Sequence, residues 1–164
     1  MKRDIFKTKR LILRRLKTAD YKVWFDAYVN SEPEKNRWDI GPMPAKDCTR
    51  SIFKQVMKKQ EKLAIKDDYY RYYVFEKKSG ALVGFVDFDI FVRSTHQFAN
   101  FGYQIYNPYW GKKYGAEAAK AGLKIGFKDL KLNRLEAAIN LDNLKSIQLA
   151  KAIGMHKEGI KKRY

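Results

Sequence analysis

Cysteine is almost absent from this 164-residue chain, and the single Cys48 excludes an internal disulfide. Histidine is nearly as scarce: His96 and His156 stand alone, so no metal-ligand spacing occurs and no metal is expected. Proline occurs four times, at Pro33, Pro42, Pro44 and Pro108, each where a turn is expected. No segment approaches the length of a membrane span, and the opening MKRDIFKTKRLILRR carries charge where a signal sequence needs an apolar core. These shortages point to a reducing cytoplasm and to no membrane association. Acidic residues are also few, 18 against 35 Lys and Arg, a formal net charge of +17. That excess favours a polyanionic partner: nucleic acid, a ribosome, an anionic surface or a small phosphorylated ligand. Lysine that merely keeps the protein soluble accounts for the same count.

What is present suffices for one domain over residues 1–164, since 45% of the chain is apolar. KRLILRRL (residues 9–16) reads as a first strand, and Thr18 with Asp20 offers caps for a helix to about Val29. Beyond Pro44, Ile52, Phe53, Val56, Met57 and Leu63 recur at helical spacing. YYRYYVFEK, ALVGFVDFDIFV and QFANFGYQIYN then read as an antiparallel meander, with Ser79-Gly80 as its first turn. A helix follows over about Gly115–Leu130, almost entirely apolar between Glu117, Lys120, Lys124, Lys128 and Lys131. Gly122 and Gly126 let it lie close against a sheet. NRLEAAIN reads as a strand, Asp142 or Asn143 as the cap of a last helix closed by Gly154, and MHKEGIKKRY as the start of a final extended segment. The expected class is α+β, in the order β-α-α-β-β-β-α-β-α-β.

The stretch YWGKKYGAEA joins the third meander strand to the apolar helix. The first amides of a helix entered through a short glycine-bearing loop have no partners, and phosphate oxygens satisfy them best. Lys112 and Lys113 add charge at the rim. A plain strand-to-helix connection has the same composition, so the loop alone leaves both readings open.

GYQIYNPYWGKKYGAEAAKAGLKIGF followed by NRLEAAINLDNLKSIQLAKAIGMHKEG resembles the coenzyme-binding half of the GNAT N-acyltransferases, particularly the branch of ribosomal-protein alanine N-acetyltransferases. KRLILRRL resembles that branch's opening strand. The resemblance implies a mixed, mostly antiparallel sheet splayed at its centre, flanked by helices, with acetyl-CoA in the gap. It implies a direct acetyl transfer to a primary amine, a protein N-terminus or a small amine, with ribosome association among the partners. The pyrophosphate loop falls on Trp110, Gly111, Lys112, Lys113, Tyr114, Gly115 and Ala116, with Lys113 where the family has its central glycine. Main-chain donors for the thioester and the pantetheine arm map to Gln104, Ile105 and Tyr106. Asn143 and Ser146 match residues lining the coenzyme arm; read alone, they are a helix cap and a solvated helix residue.

Many relatives carry a tyrosine acid at the position of Ala150, which leaves Ser146 or an ordered water to protonate the thiolate. The base is not identified by the resemblance. Asp87 and Asp89 are candidates if they face inward, and solubilising residues if they face out. Relatives continue past Tyr164 with a further strand, so the final strand is expected to be missing. A shortened product or a homodimer partner at the open edge would account for this. The competing function is a noncatalytic nucleic-acid or ribosome-binding module on the same fold, supported by the net charge and by Tyr69, Tyr70, Tyr72 and Tyr73.

Overall fold

The three aromatic and β-branched runs form β3 (Tyr69–Glu76), β4 (Leu82–Val92) and β5 (Phe98–Ile105), paired antiparallel as the sequence predicts. The computed structural model describes residues 5–162. Gly80 makes the first turn with φ +74°, and its amide donates to the Glu76 carbonyl at 2.9 Å. Strand alternation sends Tyr70, Tyr72, Val74, Val86, Phe88 and Phe101 to one face of the sheet, and Tyr73, Phe75 and Phe85 to the other. The first face is covered by α3 (Tyr114–Lys124), the second by α1 (Tyr21–Val29) and α2 (Arg50–Ile65). Thr49 caps α2, accepting the Ile52 amide at 3.3 Å.

The expected first strand is instead a hairpin. Leu11–Arg14 form β2, and β1 (Ile5–Lys7) pairs antiparallel with it, while the Thr8 amide closes the turn onto the Leu11 carbonyl at 3.0 Å. Lys9 and Arg10 therefore lie in a turn. The strand expected over residues 133–140 pairs only through β6 (Arg134–Glu136), parallel to β5. The last helix, α4, spans Leu144–Ala152 and ends at Gly154, with φ +95°. The expected final extended segment does not join the sheet: among the described residues, none beyond Glu136 forms a strand. The tail is instead tied to β6 by side chains, Arg134 to Glu158 and Lys161 to Glu136. Among the described residues six strands lie in chain order, and only the β5–β6 pair is parallel.

The glycines of α3 do what their spacing suggests. A Cβ at Gly122 would sit 2.7 Å from the Phe101 ring, and one at Gly126 would sit 2.7 Å from Leu135 and 3.0 Å from Phe88. Close approach of the helix backbone to β4, β5 and β6 needs hydrogen at both positions. Past Lys124 the helix widens into a π turn, Ile125–Asp129.

Candidate active site

Pairing between β5 and β6 stops at Asn100 and Glu136, whereas β5 continues to Ile105. Five residues of strand edge, roughly 16 Å, thus border an opening instead of a neighbour. Which amides face it follows from parity. Tyr106 donates its amide to the Val83 carbonyl at 2.9 Å, so Gln104, two residues earlier, is also turned toward β4. Ile105 and Tyr103 are turned the other way. The Ile105 carbonyl agrees, since it accepts the indole N–H of Trp110 at 2.6 Å from the outer side. Of the three amides expected from the sequence, Gln104 and Tyr106 are therefore directed into the sheet and only Ile105 borders the gap. Tyr103 is the second outward donor, and sequence reasoning missed it because the parity of a strand is set by its partner.

The loop after β5 turns through two left-handed residues, Gly111 at φ +77° and Lys113 at φ +61°, before α3 begins at Tyr114. Among the described hydrogen bonds, none uses the amides of Tyr114, Gly115 or Ala116, as the first turn of a helix requires. Two cations rest on rings beside them: the Lys112 ammonium lies 5.0 Å from the Tyr109 ring centre, and the Lys145 ammonium of α4 lies 5.1 Å from that of Trp110. Tyr114 itself is buried, and its hydroxyl donates to Glu76. Its side chain is an anchor for the loop.

A second anchor comes from the β1–β2 turn. Glu117 accepts the Thr8 hydroxyl at 2.6 Å, the Arg10 amide at 2.7 Å and the Arg10 Nε–H at 2.7 Å, and Arg10 also donates to the Lys112 carbonyl at 2.8 Å. Glu117 is thus a structural residue of the first helical turn. Burial pushes its carboxyl up, but the bonds from Thr8 and Arg10 outweigh burial and hold it below the usual range. A carboxyl lowered in the folded state stabilises above the unfolded-state range, and that stability fades as pH falls through the folded value. Glu117→Gln is therefore expected to lower the melting temperature at pH 7 and to make its fall below about pH 4.5 shallower. An acid limb of unchanged steepness, measured by thermal denaturation, would refute this assignment.

Across the opening, Asn143 caps α4 by accepting the Ser146 amide at 3.2 Å. Tyr103 then reaches from β5 to the same turn: its hydroxyl donates to the Ser146 carbonyl at 3.1 Å and lies 3.1 Å from Ser146 Oγ. Burial raises the Tyr103 phenol, and the Ser146 bond partly offsets this. Ala150, one turn further along α4, is buried. The side chains of Asn143 and Ser146 stand one turn apart at the edge of the opening, as their spacing suggests.

On the other face of the sheet, Asp87 is not a solubilising residue. Its side chain is 15% exposed, and its Oδ2 accepts the Tyr69 hydroxyl at 2.7 Å and Arg71 Nη2 and Nε at 2.7 and 3.1 Å. It lies opposite Gly102, next to Tyr103. Asp89 is exposed, as is His96. Cys48 is fully buried, and burial and then Asp47 push its thiol up, so it is no nucleophile. Among the described residues no cluster could hold a metal, and no helix is long and apolar enough to cross a membrane. Tyr70, Tyr72 and Tyr73 are 2%, 1% and 1% exposed, so these three pack in the core and offer no stacking surface, while Tyr69 is half-buried.

A sheet that parts between its parallel pair β5 and β6, beside an amide-bearing loop and helix, is the geometry expected of the resemblance. The model of the acetyltransferase (GNAT) domain family matches residues 10–156. The chain belongs to the GNAT acetyltransferases. It is 27% identical over 158 residues to the uncharacterized N-acetyltransferase p20 of Bacillus licheniformis, covering 96% of this chain and 85% of that one. Among solved structures, a Vibrio cholerae protein described as a ribosomal-protein-serine acetyltransferase superposes with a TM-score of 0.73 at 25% identity, covering 93% of this chain and 83% of that one. Two others share the fold: Mycobacterium smegmatis RimJ in complex with CoA-disulfide (TM-score 0.76, 20% identity, 94% and 74% covered) and a Vibrio cholerae spermidine N-acetyltransferase SpeG chimera (0.67, 21%, 92% and 83%).

As a GNAT enzyme the chain departs from the pattern at Lys113, and the structure shows the price: a Cβ-bearing residue held left-handed. Lys113→Gly is expected to raise stability by about 1 kcal/mol, or roughly 2–4 °C in melting temperature. Unchanged or lower thermal stability would show that the lysine is held there without strain.

Proposed function

We propose that this GNAT enzyme transfers the acetyl group of acetyl-CoA to a primary amine by direct attack, without a covalent enzyme intermediate. The observation that carries the reading is the pair of outward amides, Tyr103 and Ile105, on the strand that leads into the loop bearing the unpartnered amides of Tyr114–Ala116. Acetyl-CoA is a substrate here, supplying a thioester whose acyl carbon accepts the amine and whose thiolate departs. The α3 amides, Gly111 and Lys112 suit its diphosphate, and the Ile105 amide suits its arm. The Tyr103 N–H, fixed on a strand, suits the oxygen on which charge develops during acyl transfer. Ser146, on the far side of the opening and hydrogen-bonded to the Tyr103 phenol, is the hydroxyl we assign to give the thiolate its proton. On the acceptor side Asp87 offers a carboxylate to the incoming amine.

The fold neighbours act, by their names, on ribosomal-protein and polyamine acceptors, so the coenzyme half of the reaction is tested first. Calorimetry with acetyl-CoA is expected to give saturable heat at one site per chain. Free-thiol release is expected only when an amine is present. Absence of both, in a folded sample, would reject the reading.

A further inference from the structure

Asn107 stands just past the end of β5, ahead of the coenzyme loop, and is 3% exposed. Its carbonyl accepts the Trp110 amide at 3.1 Å and so shapes the entry to the turn that carries Gly111 and Lys113. Its side chain reaches into the connection between α1 and α2. There Nδ2 lies 2.8 Å from Asp39 Oδ2, 3.0 Å from the Pro33 carbonyl and 3.2 Å from the Glu32 carbonyl. Three acceptors around one amide nitrogen fix which way the group points, because the reverse orientation would set oxygen against oxygen. The arrangement has a cost, since among the described residues Oδ1 is buried without a partner. A fold that leaves this acceptor orphaned to keep one donor in place directs attention to what the donor holds.

Asp39, 9% exposed, also accepts the Lys35 amide at 3.0 Å and the Ile40 amide at 2.9 Å, so one carboxylate organises residues 35–40. The Met43 amide returns to the Tyr28 carbonyl at 2.8 Å, and the Tyr106 hydroxyl donates to that of Tyr28 at 2.9 Å. From the same segment Arg37 pairs with Asp142, next to the Asn143 cap of α4. Residues 31–43 therefore touch both sides of the opening, the end of β5 through Asn107 and the start of α4 through Arg37. They also join the two helices that cover the sheet face bearing Phe85 and Asp87.

We propose that Asn107 is a positioning residue for the acceptor: through Asp39 it fixes residues 31–43 to the coenzyme loop, so that acetyl-CoA held by the α3 amides firms the segment an incoming amine must pass. This rests on the acetyl-transfer reading above. In this role Asn107 touches neither reactant. The coupling is reciprocal, so amine and coenzyme each tighten the binding of the other.

Hydrogen exchange of the full chain, with and without saturating acetyl-CoA, reads the coupling without an acceptor. Amides of residues 31–43 are expected to exchange at least about 5-fold more slowly with coenzyme, alongside those of residues 106–116. Asn107→Ala is expected to keep acetyl-CoA affinity within about 2-fold by calorimetry and to lose the slowing over residues 31–43 alone. Asp39→Ala cuts the same link from the loop side and is expected to give the same result, which keeps the test open if Asn107→Ala does not fold. In steady-state thiol release at saturating acetyl-CoA, with an Ala-initiated peptide and spermidine as acceptors, either variant is expected to raise KM for the amine about 10-fold with kcat within about 2-fold, a split that lost stability alone does not give. Slowing confined to residues 106–116 in the wild type would overturn the inference while leaving acetyl transfer intact. So would slowing over residues 31–43 that survives in a folded variant, or an unchanged KM. Absence of coenzyme binding to the wild type would remove the acetyl-transfer reading itself.

Discussion

Aspartate in place of Gly115 is expected to leave the fold standing and to cut acetyl-CoA affinity by at least about 100-fold, equivalent to ~2.7 kcal/mol. Gly115 is the second residue of α3, and a Cβ there meets the Leu149 methyl at 3.1 Å, which is flexible enough to give way, and Ile105 Cγ1 at an ordinary 3.8 Å. A carboxylate in the first turn interacts favourably with the helix dipole, so the melting temperature is expected to stay within roughly 2 °C of wild type. The same carboxylate stands against any diphosphate held by the Tyr114, Gly115 and Ala116 amides. Two unit charges about 4 Å apart repel by ~4 kcal/mol near a protein surface, more than enough for the stated loss. Calorimetry and thermal denaturation on one sample separate the two effects. Unchanged affinity would mean that the diphosphate binds elsewhere.

Leucine at Gly122 is expected to act in the opposite way, destabilising the whole molecule by about 3 kcal/mol or more and lowering the melting temperature by roughly 6–12 °C. The first side-chain carbon would already lie 2.7 Å from the Phe101 ring, and Phe101 is packed against Phe88 and Tyr103 with 2% exposure. The ring cannot rotate away without opening the core, so α3 must lift. Gly122→Ala is the milder companion: the gain in helix propensity, ~1 kcal/mol, partly offsets the crowding. Chemical denaturation that placed Gly122→Leu within about 1 kcal/mol of wild type would show that α3 can shift at little cost.

The two substitutions touch the part of the chain that the sequence describes best. The Gly122 and Gly126 spacing, the aromatic meander and the cap at Asn143 are local patterns, and each appears in the structure as read. What was not legible depends on partners distant in sequence. The β1 strand is three residues with one apolar pair among charges, too short for a periodic signal, and forms because Leu11–Arg14 lies beside it. β6 is shorter than its apolar run because the sheet parts after Glu136. The exchange of Gln104 and Tyr106 for Tyr103 as gap-facing donors follows from the β4 register, which no stretch of β5 encodes alone. Arg10 and Glu117 are separated by 107 positions, and nothing in either neighbourhood announces their pairing. The surroundings of Asp87 were not legible because its face of β4 mixes Phe85 with Asp87 and Asp89, and alternation alone does not say whether such a face is covered or open; the glycine opposite it was the available sign.

Trp110, whose indole N–H is held by the Ile105 carbonyl at the end of the strand edge and whose ring lies under the Lys145 ammonium, gives the molecule an optical property. Its emission depends on a neighbouring carbonyl dipole and a nearby cation, both of which change surroundings when anything enters between β5 and α4. Trp24, sealed in the core at 4% exposure, supplies a steady background, and Trp38 in the α1–α2 connection can be replaced by phenylalanine. Occupancy of the opening is thereby written into the protein's own fluorescence, readable by titration without an attached dye.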